Sequence, residues 1–225
     1  MITKTTEKIC NICGGKEFNN DFRTSRFGIP PQCTCCGSLE RIRIIRKIYN
    51  KIPDYFLKKR KALQFSSDKS INRDVFASFE VSIYGGDNSL DMMSIDKPDA
   101  SYDWIVSNQV LEHVPDDVVA VKELLRVLKP NGVIHINVPS PAYTLETQDW
   151  GYPDAKLHDH YRGYGSDFLL HIEEALTNCY AIQAIEIDDV THTRDIVYFI
   201  GKSYDVIRML GLHLLKGDCI VIRGK

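Results

Sequence analysis

Two hydrophobic periods alternate along this chain, and the pattern changes at about residue 61. Between Ser38 and Tyr49, Ile42, Ile44, Ile45, Ile48 and Tyr49 recur at helical spacing among basic residues. That spacing predicts a helix with Ser38 as N-cap and with Arg41 and Arg43 facing solvent. Pro53 interrupts the segment that follows. From Lys61 onward, short apolar runs alternate with helical patterns. The runs predict strands over 62–65, 79–84 (ended by Gly85-Gly86), 102–107 and 133–138, with a short third strand within 88–95. Helices are predicted over 71–77 and 116–128, the latter with Val118, Val121, Leu124, Leu125 and Leu128 on one face. Lys129-Pro130-Asn131-Gly132 stops that helix. Further on come a helix over 166–178, a strand over 181–187, and strand candidates at 196–200 and 219–222, of which the second is favoured as the last in the sheet. Such alternation predicts an α/β fold, a doubly wound, Rossmann-like parallel sheet that binds its ligand at the carboxyl ends of the strands. The stretch 139–165 is aromatic, histidine-bearing and without regular period. A loop of that length within a compact domain points to function.

The cysteines change the picture at the N-terminus. Of seven in the chain, four form two Cys-x-x-Cys knuckles, Cys10/Cys13 and Cys33/Cys36, separated by 19 residues. Each knuckle aims two thiolates at one point, and two knuckles complete the tetrahedral all-sulfur shell that suits Zn²⁺. Gly14 and Gly37 follow the second cysteine of each knuckle, where the backbone must turn its amides toward sulfur. Cys35 is the spare thiol. It replaces Cys36 only by shortening the knuckle to Cys-x-Cys. A closed shell has no open position, so this zinc would fold the N-terminus and perform no chemistry. Cys179 and Cys219 read as small buried hydrophobes.

Composition sets outer bounds. With 225 residues, 44% hydrophobic and 26% charged, the chain fits one α/β domain plus a small appendage, divided as a zinc ribbon (1–40), a basic helical linker (41–60) and a main domain (61–225). No run approaches the length of a membrane span, and no apolar leader opens the chain, so a cytoplasmic location is expected. The net charge of −2 hides a split: residues 1–61 hold 14 Lys/Arg against 5 Asp/Glu. Nine of those cations lie between Arg41 and Lys61. They form either the solvated face of a helix or a polyanion-binding run.

Two adjoining stretches carry a resemblance. Tyr102-Asp103-Trp104-Ile105-Val106-Ser107-Asn108-Gln109-Val110-Leu111-Glu112-His113-Val114-Pro115-Asp116, followed by Glu123-Leu124-Leu125-Arg126-Val127-Leu128-Lys129-Pro130-Asn131-Gly132, resembles the paired motifs of class I S-adenosylmethionine-dependent methyltransferases. The run from Cys33 to Arg41 is similar to a subset with an N-terminal zinc-binding stretch. The resemblance implies S-adenosylmethionine as cofactor, bound by residues after the first, second and fourth strands of the sheet. Gln64, Phe65 and Ser66 then flank the methionine part, and Tyr84 or Asp87 stands where a ribose-binding carboxylate is expected. Asp91 is placed to accept from the adenine amino group with Met92 against the ring. Asn108, Gln109 and Val110 leave the fourth strand beside the cofactor. The glycines usual after the first strand are missing: the chain reads Phe65-Ser66-Ser67-Asp68 there.

On the acceptor side, Asp159-His160-Tyr161-Arg162-Gly163-Tyr164-Gly165 resembles a stretch that some members carry. His160 is the first choice of base for a hydroxyl or amine acceptor, with His113 and His158 behind it and Arg162 as a substrate or structural clamp. Glu112/His113 also resembles the acidic–histidine pair by which certain O-methyltransferases hold a divalent metal, here one carboxylate short. The expected activity is methyl transfer to an oxygen or nitrogen of a small molecule or glycan. Two alternatives stand beside it: an RNA methyltransferase using the ribbon and basic helix, and a non-catalytic binding protein on the same fold.

Overall fold

The computed structural model describes residues 7–86, 88–139, 141–215 and 221–224. The chain divides into two units, one of 1–51 with 68–72 and 185–195, the other of 52–67, 73–184 and 196–225. The expected boundaries at 40 and 60 do not coincide with these units.

In the first unit, β1 (Phe18–Asn19) pairs antiparallel with β2 (Gln32–Cys33), with Phe18 opposite Cys33. Helix α1 (Glu40–Tyr49) buries Ile44, Ile45, Ile48 and Tyr49, the stripe that the periodicity marks. Two expectations are corrected. Leu39 holds the N-cap position without a side-chain cap, while the Ser38 hydroxyl lies 3.2 Å from both Cys10 Sγ and Cys36 Sγ. Arg43 is buried, not solvated: Nε and Nη2 each reach the Asp188 carboxylate at 2.8 Å, and Nη1 donates to the Pro31 and Ser38 carbonyls. A bidentate pair with two further hydrogen bonds to carbonyls is how a guanidinium tolerates burial. Other cations of the basic run are also engaged within this unit. Arg46 donates to the carbonyls of Ser70 and Lys69, Lys47 pairs with Asp189, and Lys51 with Glu186. Four of the nine cations in the run therefore have an internal use.

The second unit opens with α2 (Asp54–Leu57) and β3 (Lys61–Phe65), then β4 (Ser78–Ser82), β5 (Tyr102–Asn108), α3 (Asp117–Val127) and β6 (Leu128–Asn137). After these come β7 (Gln148–Asp154), β8 (His160–Gly163), α4 (Phe168–His171), β9 (Tyr180–Ile187), β10 (Arg194–Gly201), α5 (Tyr204–Leu214) and β11 (Ile222–Arg223). Seven strands form one sheet in the order β11-β9-β10-β6-β5-β3-β4. β4, β3, β5 and β6 are mutually parallel, β10 runs antiparallel to β6, and β11 antiparallel to β9. From β3 the chain moves outward to β4 and then returns to β5 on β3's other side. That reversal opens a crevice at the carboxyl ends of β3 and β5. Apolar runs such as Trp104-Ile105-Val106, all fully buried, read as continuous because both faces of this part of the sheet are covered. α3 starts on Asp116, whose Oδ1 accepts from Val119 N at 2.9 Å, as an N-cap should.

Several local expectations are corrected. The stretch 71–77 forms only a 3₁₀ turn, Arg73–Val75. Residues 88–95 hold an isolated Asp91–Ser94 bridge in place of a strand, because Asp91 Oδ1 accepts from Met93 N and turns the backbone. The helix expected over 166–178 divides into α4 and a 3₁₀ turn, Glu173–Leu176. The stretch 139–165 contains an antiparallel hairpin, β7 with β8, with Asp149 opposite Arg162. β10 lies inside the sheet next to β6, whereas Ile222–Arg223 is only its short edge; Cys219 lies outside the described residues. α5, capped by Ser203, was not foreseen. Cys179 is buried, as its apolar neighbours suggest. Among the described residues no helix is long and apolar enough to cross a membrane.

Candidate functional site

A cleft of about 760 Å³ lies at the ends of the parallel strands. Phe65 and Ser66 enter it after β3, Tyr84 after β4, and Gln109 and Val110 after β5, with Asp91 and Met92 from the turn between β4 and β5. These seven are among the ten positions assigned to the cofactor from sequence. Gln64 and Asn108, 1% and 3% exposed, sit within their strands and do not line the cleft, and Asp87 lies outside the described residues. The structure adds Ser82, Ile83, Leu90 and Met93 to the same wall. Their proximity in sequence to Tyr84 and Met92 was the available signal.

The glycine-free loop has a physical answer. Ser66 stands at φ +62° and Gln109 at φ +54°, both in the left-handed region that disfavours side chains. Ser66 N is held by Ser82 O at 2.9 Å and Gln109 N by Asn137 O at 2.8 Å. The Gln109 side chain donates to Asn137 Oδ1 at 3.0 Å, and Asn137 in turn donates to Ile196 O. Ser66 thus makes the turn that a glycine makes elsewhere. Surrounding hydrogen bonds hold this strained backbone at the mouth of the cleft.

The opposite wall comes from the hairpin, through Pro153, Asp159 and Tyr161, and from His113 in the 3₁₀ turn Leu111–His113. His158 and Asp159 stand at φ +59° and +60°, which closes the hairpin so that His160 reaches His113 at 4.7 Å between ring centroids. His158 stands further off, 6.1 Å from His160. Burial lowers the pKa of both His113 and His160, and His160 is lowered further by the neighbouring imidazoles.

Arg162, 2% exposed, is directed inward. Its Nε reaches Asp149 at 2.6 Å, Nη1 donates to Leu111 O and Val114 O, and Nη2 donates to Pro115 O at 2.7 Å. Of the two roles expected for Arg162, this geometry fits the structural clamp, fastening β8 to the turn that carries His113.

With the cleft in view, comparison with known proteins is informative. Residues 72–136, from just before β4 through most of β6, match the methyltransferase domain family. That stretch of the chain is similar to a methyltransferase domain. Sixty-one residues of the chain are 41% identical to 2-methyl-6-phytyl-1,4-hydroquinone methyltransferase of Synechocystis sp., covering 27% of this chain and 17% of that protein. The chain spans less than a fifth of the length of the curated relatives it matches. Among solved structures, it is similar to an S-adenosylmethionine-dependent methyltransferase of Thermotoga maritima, at 10% identity and TM-score 0.46, over 71% of this chain and 88% of that one. It is also similar to a trans-methyltransferase in complex with SAH, at 12% identity and TM-score 0.45, over 72% and 55%.

The second unit keeps this clamp in place through a buried carboxylate. Asp117 accepts from Tyr164 Oη at 2.7 Å and His171 Nε2 at 3.0 Å, with Arg162 Nε 3.6 Å away. Burial pushes Asp117 up, but His171, Tyr164 and the Arg162 charge outweigh it and hold its pKa below the usual carboxylate range. The hydrogen bond to Asp117 raises His171, against burial. A depressed Asp117 contributes stability above its unfolded value that is lost as pH falls. A raised His171 contributes stability below its unfolded value that is lost as pH rises through its folded value. Both contributions are present between about pH 4 and 6.5. A His171→Gln variant should therefore be less stable than the parent by about 1 kcal/mol near pH 6, a gap that closes as pH rises through the raised folded-state value of His171. Melting curves across that range check it, and a gap of constant size would rule out the charged pair.

Apart from the cleft, the first unit gathers the four predicted thiols. The sulfurs of Cys10, Cys13, Cys33 and Cys36 all lie within 4.8 Å of one another, with Cys10–Cys36 at 3.7 Å and Cys13–Cys33 at 3.6 Å. A tetrahedron with Zn–S of about 2.3 Å has an edge of about 3.8 Å, so the group is spaced for a metal and far too wide for disulfides. Gly14 and Gly37, at φ +79° and +73°, close equivalent turns by donating to Cys10 O and Cys33 O, each at 2.8 Å. Burial pushes the Cys36 thiol up, but hydrogen bonds from Ser38 and the neighbouring thiols bring it down to about 6. Cys35 is exposed and outside the group.

Proposed function

We propose that this chain transfers a methyl group from S-adenosylmethionine to an oxygen or nitrogen of a small molecule or glycan, in the cleft at the ends of β3, β4 and β5. One observation carries the reading: residues assigned to the cofactor from three separate stretches of sequence line a single cleft. The donor set suits an adenosine. Phe65, Met92 and Val110 offer an apolar slot, while Asp91, Gln109 and Tyr84 offer a few polar groups around it. When bound, the cofactor supplies an activated methyl group on a sulfonium, so the hard chemistry is its own.

The chain's residues have three tasks. Ser66 and Gln109 turn the backbone so that it can lie close against the ligand. The hairpin wall of Pro153, Asp159 and Tyr161 excludes water and positions the acceptor. The histidine side, His113 with His160 behind it, is where the acceptor loses its proton. Four thiolates in the first unit hold a structural zinc.

Calorimetry with S-adenosylhomocysteine tests the reading. Binding of one equivalent is expected, with affinity weakened about tenfold, or about 1.4 kcal/mol, in Ser66→Val, whose β-branched side chain cannot rest at that φ. Neither heat nor a melting shift at millimolar ligand would leave a non-catalytic protein on this fold as the better account.

A further inference from the structure

The acceptor end of the cleft is walled by His113, Val114, Pro115, Pro153, Asp159 and Tyr161. Among the described residues, no lysine or arginine lines any part of the cleft, whereas two carboxylates do, Asp91 and Asp159. Asp91 already has a partner, since its Oδ1 accepts from Met93 N at 2.8 Å. Asp159 differs. Its side chain is exposed, and among the described residues its carboxylate has neither a hydrogen-bond nor an ion-pair partner.

The backbone that carries Asp159 is nonetheless fixed. Its amide donates to Asp154 O at 2.9 Å, its carbonyl accepts from the His113 ring, and its φ of +60° closes the hairpin. A solvated carboxylate on a fixed backbone is therefore set into the cleft wall, opposite Phe65 and Ser66. The nearest arginine does not offset it. Arg162 is 2% exposed, and its donors are directed at Asp149 and at the carbonyls of Leu111, Val114 and Pro115. A phosphate or carboxylate entering here would meet like charge and no guanidinium fork to receive it. An ammonium would meet an acceptor of opposite charge, beside the Tyr161 phenol.

We propose that Asp159 is the specificity-determining residue of the acceptor site, and that the acceptor is a small, mainly apolar compound bearing a cationic amine. The Asp159 carboxylate accepts from the ammonium, and Val114, Pro115 and Pro153 pack against the apolar body. Phosphorylated and carboxylated compounds are turned away by the same charge. The amine anchors the acceptor whichever of its atoms is methylated. The cation-selective wall stands on these residues; its use for an acceptor rests on the methyl-transfer reading.

Three probes of one shape test this: benzylamine, benzyl alcohol and benzoate, titrated calorimetrically into full-length protein with and without saturating S-adenosylhomocysteine. With the cofactor product in place, the probes report on the acceptor end alone. Benzylamine is expected to bind at least about tenfold more tightly than benzoate, with benzyl alcohol between them. In Asp159→Asn the benzylamine affinity should fall about tenfold while benzyl alcohol is unchanged. Asparagine rests readily at a left-handed φ, so this exposed position keeps its fold. No binding of benzylamine, benzoate bound as tightly, or an unchanged preference in Asp159→Asn overturns the proposal. The two readings fail separately. Binding of S-adenosylhomocysteine without a preference for benzylamine sinks the cation-selective wall alone. A preference for benzylamine in protein that does not bind S-adenosylhomocysteine sinks only methyl transfer.

Discussion

Cys33→Ser is expected to abolish zinc binding and unfold the N-terminal region, while Cys35→Ser leaves both intact. The reason is that little else holds residues 7–39 together. Their only regular structure is a pair of two-residue strands, and Phe22 and Phe27 are 68% and 56% exposed. The buried positions in this stretch are Cys10 and Cys33 themselves, with Ser25, Pro31 and Ser38. So small an apolar core cannot offset the entropy of ordering the chain. A structural zinc supplies about 10–16 kcal/mol of apparent binding energy, which here is folding energy. Metal analysis should find about one zinc per chain in the parent and in Cys35→Ser, and none in Cys33→Ser. Limited proteolysis should cut within 7–39 only in the latter. A fully metallated Cys33→Ser protein, or a protease-resistant metal-free one, would show that the four sulfurs are packed for another reason. Cys35→Ser also decides between Cys35 and Cys36, since only Cys36 lies among the four converging sulfurs.

Much of this molecule is legible from local pattern, and the exceptions share a cause. The knuckles, the buried strands and α3 with its Asp116 cap each follow from residues within a few positions of one another, so spacing alone places them. Arg43 is different. Its neighbours at helical spacing are isoleucines and its type argues for solvent, but its partner Asp188 lies 145 residues away. The β7–β8 hairpin carries no turn signal because His158 and Asp159, not glycine or asparagine, take the left-handed positions, and Gly151 and Pro153 interrupt its strand pattern. α5 left a trace, with Ser203 ahead of Ile207, Leu210 and Leu214 on one face, but from sequence no element is assigned between 200 and 219. In the site, cleft-lining positions were legible where a motif fixes them. The closing of His160 on His113 was not, because it depends on backbone φ values and on a clamp that no motif encodes.

That clamp predicts the largest loss in the second unit. Arg162→Leu should destabilise the protein by about 3–5 kcal/mol, since removing one member of a buried charge network leaves the others uncompensated. Asp117 would lose its cation, and the carbonyls of Leu111, Val114 and Pro115 would lose their donors. Arg162→Lys should recover only part of this, because an ammonium carries charge but cannot span three carbonyls and a carboxylate as a planar fork does. Asp149→Asn is the contrasting case. Asp149 is 34% exposed, so its loss should cost about 1 kcal/mol despite a 2.6 Å contact with the same guanidinium. Denaturant titrations of the three variants measure the order directly. If Asp149→Asn proves as damaging as Arg162→Leu, the ion pair with Asp149 holds the hairpin. If the predicted order holds, the carbonyl contacts fasten β8 to the turn that carries Glu112 and His113, and mutation of Arg162 should loosen the histidine pair before it disturbs the opposite, Ser66 side of the cleft.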